Sequence, residues 1–151
     1  MSKHFDGSTE GETPKANWPG IYKECAKHKK FGIKVMGESE YITERQRRWY
    51  HGVCLPHLVK NDENGETKDW WDRKLKSECG GLAYLKKEAV VVELTLGGDS
   101  RLVTIDRITT KNVGRKNMTN YIEEILSQSI HKGWGVAAPD EELRSKKHAQ
   151  L

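Results

Sequence analysis

"ERQRRWYHGVCLPHLVK", residues 44–60, is the stretch on which the fold turns. Gln46, Trp49, Tyr50, Val53, Cys54, His57 and Leu58 recur at i, i+3, i+4 and i+7, the spacing that lays one apolar stripe along a helix. Thr43 stands where an N-cap belongs. Pro56 is too deep for a first-turn proline, so the helix is expected to kink or end there: the ring removes an N–H and crowds the carbonyl four residues back. Glu44, Arg47, Arg48 and His51 fall on or beside the opposite face. One face is expected in a core, the other exposed and cationic.

Working outward, "FGIKVMG" (31–37) reads as a short strand with Phe31, Ile33 and Val35 on one side. After the turn-rich "NDENGE" (61–66), "TKDWWDRKLKSECGG" (67–81) predicts a second helix. Thr67 caps it, Asp69 suits its positive end, Gly80 stops it, and Trp70, Trp71, Lys74 and Leu75 face inward. "AVVVELTL" (89–96), "GGDS" and "RLVTI" (101–105) form a hairpin with Val90, Val92, Leu94 and Leu96 on one face. "NMTNYIEEILSQSIHKG" (117–133) predicts a third helix, striped by Met118, Tyr121, Ile122, Ile125 and Leu126 and closed by Gly133. The order predicts an α+β fold: a short antiparallel sheet, the hairpin plus an N-terminal strand, packed with about three helices. Residues 1–20, rich in Gly, Ser, Thr, Glu and Pro, read as a flexible arm. Residues 21–143 then form one domain and 144–151 a polar tail.

The chain has 151 residues, a mean hydropathy of −0.81 and a net charge of +4. It contains no run of about 18 apolar residues and no apolar segment of the kind a signal peptide needs. Cys25, Cys54 and Cys79 are odd in number and lack a framework spacing, which points to a reducing, cytoplasmic setting. Positive charge lies in two blocks. Residues 41–60 carry four Lys/Arg against one Glu, and residues 81–120 carry seven against four carboxylates. If the blocks meet in space they form the electrostatic footprint of a nucleic-acid binder; scattered, they only solvate a surface.

The residues expected to touch phosphate are Arg45, Arg47 and Arg48 on the first helix, and Lys86, Lys87, Arg107, Lys111, Arg115 and Lys116 around the hairpin. Gln46 opens the apolar stripe and must be satisfied there, either by a structural hydrogen bond or by a ligand. Of the tryptophans, Trp134, between two glycines, is the one expected to be exposed as a stacking platform for an unpaired base. No phosphate loop, nucleophile elbow or HExxH is present, and no catalytic residue is assigned. Asp69, Asp72, Glu88, Glu93 and Asp106 are available to a metal-dependent nuclease, but so charged a chain always offers such a set. "CAKH" (25–28) and "CLPH" (54–57) pair Cys with His at zinc-like spacing. Cys54 and His57 lie on the apolar stripe, however, so packing is favoured and no metal is expected.

The segment "QRRWYHGVCLP" from Gln46, "TTK" from Thr109, "MTNYIEEI" from Met118 and "GVAAPDEE" from Gly135, in that order, resemble recombination proteins of the Orf (NinB) type from lambda-like phages. "KLK" from Lys74 fits a helix that the family usually writes His-x-x-Leu-Lys. The resemblance spans roughly residues 41–143. The chain departs from the pattern at Arg47, where the family has Asn, at His51, where it has Trp, and at Asp72, where it has His. The resemblance implies a homodimer that binds single-stranded DNA and needs no cofactor. As a recombination mediator it would help a host RecA-type recombinase onto DNA coated by the host single-strand binding protein. A metal-dependent nuclease or junction-processing enzyme, and an adaptor that binds only proteins, are the alternatives.

Overall fold

The helix of residues 44–60 starts earlier than its sequence suggests and changes winding midway. In the computed structural model, which describes residues 3–144, α2 runs Glu38–Trp49 from an extended Gly37. Glu38 and Glu40 favour the positive end of the helix. Thr43 therefore lies inside it, and its Oγ1 donates to the Ser39 carbonyl at 2.9 Å instead of capping.

From Tyr50 to Cys54 the backbone widens into a π-turn, closed by the Leu55 N–H on the Tyr50 carbonyl five residues back. It then re-forms as α3, Leu55–Lys60, with Pro56 in the first turn. The proline accounts for the widening. It supplies no N–H, and α-winding would press its ring on the Gly52 carbonyl. The His51 carbonyl, one turn back, instead accepts from Lys68 Nζ at 3.0 Å. The extra residue rotates the apolar stripe: Val53, expected inside, is 43% exposed, and Leu55 takes its place at 1%.

Two more helices enclose the core, α4 (Lys68–Glu78) and α5 (Gly114–Lys132). Thr67 caps α4 as its sequence predicts, accepting the Trp70 N–H at 3.2 Å. Tyr50, Cys54, Leu55, Leu58, Trp71, Leu75, Met118, Tyr121, Ile122 and Ile125 share the interior. Only the Trp71–Leu75 row of α4 is fully inside; Trp70, one position around, is 38% exposed. A polar chain crosses this core: Tyr121 Oη donates to Tyr50 Oη (3.0 Å), Tyr50 Oη donates to Asp72 Oδ1 (2.6 Å), and Lys76 Nζ donates to Asp72 Oδ2 (2.7 Å).

The hairpin is longer than its apolar pattern. β3 (Lys86–Leu96) pairs antiparallel with β4 (Asp99–Thr109), Val90 opposite Ile105 and Val92 opposite Val103. Gly97 and Gly98 turn at φ of +59° and +87°. Two consecutive left-handed residues make the turn that matches strand twist, which side chains with a Cβ resist. Among the described residues no third strand joins it. The strand expected at 31–37 has no regular structure, and Phe31, Ile33 and Val35 are exposed. A strand needs a neighbour for its backbone groups, and here the hairpin pairs only with itself.

The chain divides into two units after Val35. The first contains β1 (Gly7–Glu10) paired with β2 (Thr13–Ala16), and α1 (Trp18–Cys25). Asn17 caps α1 by accepting the Gly20 N–H at 3.1 Å, and Pro19 suits its first turn. The boundary expected at residue 20 thus falls within a helix, and the expected arm contains a hairpin. The expected polar tail lies outside the described residues from residue 145 onward. Among the described residues no helix is long and apolar enough to cross a membrane.

Candidate nucleic-acid interface

Gln46 fixes the geometry of the site. It is completely buried, and its Nε2 donates to Thr119 Oγ1 on α5 (2.8 Å) and to the Leu143 carbonyl (3.1 Å). That ties α2 to α5 and satisfies the Gln46 amide nitrogen within the fold, while its Oε1 is buried with no partner among the described residues. The outer row of α2 (Ser39, Glu40, Thr43, Glu44 and Arg47) then faces the turn Lys111–Gly114 across an open groove of about 610 Å³. Asn112 and Gly114 adopt left-handed backbone, φ +56° and +84°, which reverses the chain between β4 and α5. The groove is lined by both signs of charge, and Arg47 of the first basic block and Lys111 of the second are both among its lining.

The expected phosphate contacts divide by what already holds them. Arg45 is committed: its guanidinium meets Asp140 at 2.8 Å and Glu142 at 3.0 Å and stands over the Tyr41 ring. The Glu142 hydrogen bond holds its proton more tightly than usual. Arg45 therefore anchors the segment after α5. Arg47 bonds Glu44 at 3.1 Å, and its Nε is buried with no partner among the described residues. Arg107 and Lys111 share Glu88, at 3.2 and 3.7 Å. Arg48, Lys86, Lys87 and Lys116 are exposed and Arg115 half-buried, and among the described residues none has an ion-pair partner.

The first turn of α5 departs from ordinary helix chemistry. It opens Gly114-Arg115-Lys116-Asn117, with no acidic residue and no side-chain cap. Peptide dipoles already make that end positive. By contrast α4 carries Thr67 and Asp69 at the same place. Lys111 stands just before this uncapped helix start, and Lys86, Lys87 and Arg107 of the same basic block lie on the paired open ends of the hairpin.

The aromatic expectation needs correction. Trp134 is half-buried: Trp71 meets it edge-on at 5.4 Å and Lys132 stands over its ring at 5.2 Å. The glycines around it shape the chain after α5 without freeing the indole. Trp49 and Trp71 are buried, their Nε1 atoms bonded to Ala137 O (3.0 Å) and Asp62 Oδ2 (2.9 Å). Trp70 keeps one exposed edge but is flanked by Trp71 and Lys74.

Burial raises the Cys54 and Cys79 thiols to about 12, so neither is a thiolate at neutral pH. His57 Nε2 lies 2.8 Å from the Trp134 carbonyl. Of the carboxylates available to a nuclease, Asp72 is bound by Tyr50 and Lys76, Glu88 by Arg107 and Lys111, and Asp69 by Arg73. Among the described residues no group of three or more His, Cys, Asp or Glu is arranged to hold a metal ion. Burial lowers the pKa of His51, opposed by the nearby Asp72 charge.

Comparison with protein-family models, with curated proteins and with solved structures finds no match to this chain.

Proposed function

We propose that this protein binds single-stranded DNA in a host cytoplasm as a recombination mediator of a phage or mobile element. The observation that carries the binding is the start of α5: Arg115 and Lys116 in an acid-free, uncapped first turn, with Lys111 just ahead of it. Each like charge at a helix terminus costs about 0.3–1 kcal/mol, and a bound phosphate turns that cost into attraction. The mediator role rests on the resemblance of residues 41–143 to Orf-type proteins.

The test is fluorescence anisotropy with a labelled oligothymidylate and a duplex, with and without magnesium. Metal-independent binding that favours the single strand and leaves it intact is expected. No binding, or magnesium-dependent cleavage that follows the protein through purification and is lost on changing one carboxylate, overturns the reading. The mediator step is read separately, as faster strand exchange by a RecA-type recombinase on DNA coated by single-strand binding protein.

A homodimer belongs to the same proposal. One face of the hairpin carries Val90, Val92, Leu94 and Leu96 beside Val103 and Ile105, and Leu96 is 78% exposed. A two-stranded ribbon is marginal in water unless that face is covered. The face is self-complementary: Asp99 and Arg101 lie at its tip, Glu88 and Arg107 at its base, so neither end presents a single sign of charge to a second copy. Leu94→Glu is expected to halve the mass measured by light scattering while circular dichroism stays unchanged. A parent that is already monomeric refutes the dimer.

A further inference from the structure

Among the described residues of the larger unit every tryptophan is buried or flanked by other groups; Trp70, the most exposed at 38%, is packed against Trp71 and Lys74. The first unit differs. α1 has no buried residue, and Trp18 (44% exposed) and Tyr22 (68% exposed), four residues apart, stand on one side of it. The same unit also holds a dense run of positive charge: "KECAKHKKFGIK", residues 23–34, has five lysines against one glutamate. Glu24 is itself taken by Lys27 at 2.8 Å and Lys3 at 3.4 Å. Among the described residues Lys23, Lys29 and Lys30 have no ion-pair partner.

From this we infer that Trp18 and Tyr22 form a second nucleic-acid contact, on which unpaired bases stack while Lys29 and Lys30 hold the flanking phosphates. The inference rests on the single-strand reading and adds the part of the chain that reads unpaired bases. Exposed π-faces and free ammonium groups within one short segment fit a chain of bases and phosphates. An acidic membrane fits less well: α1 is eight residues long, Ile21 is its one aliphatic beyond Pro19, and Ile21 is half-buried.

The experiment uses the full chain and oligothymidylate in a salt series. Trp18→Ala with Tyr22→Ala is expected to weaken binding about tenfold per ring, and Trp18→Phe with Tyr22→Phe to retain most of it. Lys29→Ala with Lys30→Ala lowers the slope of log affinity against log salt by roughly 1.4. Because α1 buries none of its side chains, circular dichroism should match the parent in all three. Parent-like affinity and slope in the alanine variants overturn this inference and leave the DNA-binding reading standing. A parent that binds no oligonucleotide overturns both. Phosphatidylglycerol vesicles form the last arm: vesicle binding that needs Trp18 and Tyr22, with oligonucleotide binding indifferent to them, assigns the platform to lipid and overturns the inference.

Discussion

Tyr50→Ala is expected to lower stability by about 3–5 kcal/mol, and Tyr50→Phe by about 1–3 kcal/mol. Domains hold only about 5–15 kcal/mol in total, so the alanine variant should be largely unfolded in mild urea where the phenylalanine variant is not. Tyr50 opens the π-turn, is fully buried, and meets the Tyr121 ring edge-on at 5.3 Å. Removing the ring leaves a cavity beside Tyr121 in the core that the π-turn shares with α4 and α5. Removing only the hydroxyl leaves Tyr121 Oη without its acceptor and takes from Asp72 the 2.6 Å donor opposite Lys76. Burial raises the pKa of Tyr50, so its hydroxyl stays a neutral donor across the working pH range. Urea titrations of the three proteins, with unchanged m-values for the folded ones, separate the packing loss from the polar loss. A phenylalanine variant as stable as the parent means that the hydroxyl chain contributes nothing.

Of the helices, α2, α4 and α5 were legible in the sequence because their signals are local, whereas α1 was read as part of a flexible arm. The i, i+4 stripe of α5, the Thr67 cap and the glycine turn of the hairpin each follow from neighbours within a turn or two. The errors arise where a distant partner or a change of winding decides. Phe31–Gly37 alternates like a strand, but alternation cannot show whether a second strand is there to pair with it. Pro56 announced a disturbance; that it takes the form of one extra residue in the winding, exchanging Val53 for Leu55, is a choice among kink, end and π-turn that the proline alone does not signal, and Lys68 on another helix supplies a donor to the His51 carbonyl. Gln46 had two readings until Leu143, nearly a hundred positions away in the chain, supplied the acceptor. The same limit governs the site. Arg45 looked free because Asp140 and Glu142 are remote in sequence, and Trp134 looked exposed because Trp71 is. The lysines of 23–34 and the neighbouring Trp18 and Tyr22 were legible by composition alone, but a reading that took 1–20 as an arm and counted charge from residue 41 passed over them.

Changing Lys111, Arg115 and Lys116 together to alanine is expected to separate binding from stability, with opposite signs. Each phosphate contact on a single strand adds about 0.7 to the salt slope, so losing three lowers it by roughly 2. Stability should hold or rise. Two positive charges leave the positive end of α5, each relieving about 0.3–1 kcal/mol, and alanine is the best helix former. Against this stands the loss of the Lys111–Glu88 contact, an exposed pair at 3.7 Å that contributes little. A purely solvating role predicts an unchanged slope, and a purely structural role predicts a less stable protein. Only a surface kept for an anion predicts weaker, less salt-sensitive binding together with equal or higher melting temperature. The comparison variant is Lys74→Ala: its ammonium stands over Trp70 and Trp71, away from the groove, and its loss should leave the slope at the parent value. If the triple variant keeps the full slope with its fold intact, the phosphates are held elsewhere. Arg48 of the larger unit and, separately, Lys29 and Lys30 of the first unit are then the residues to change next.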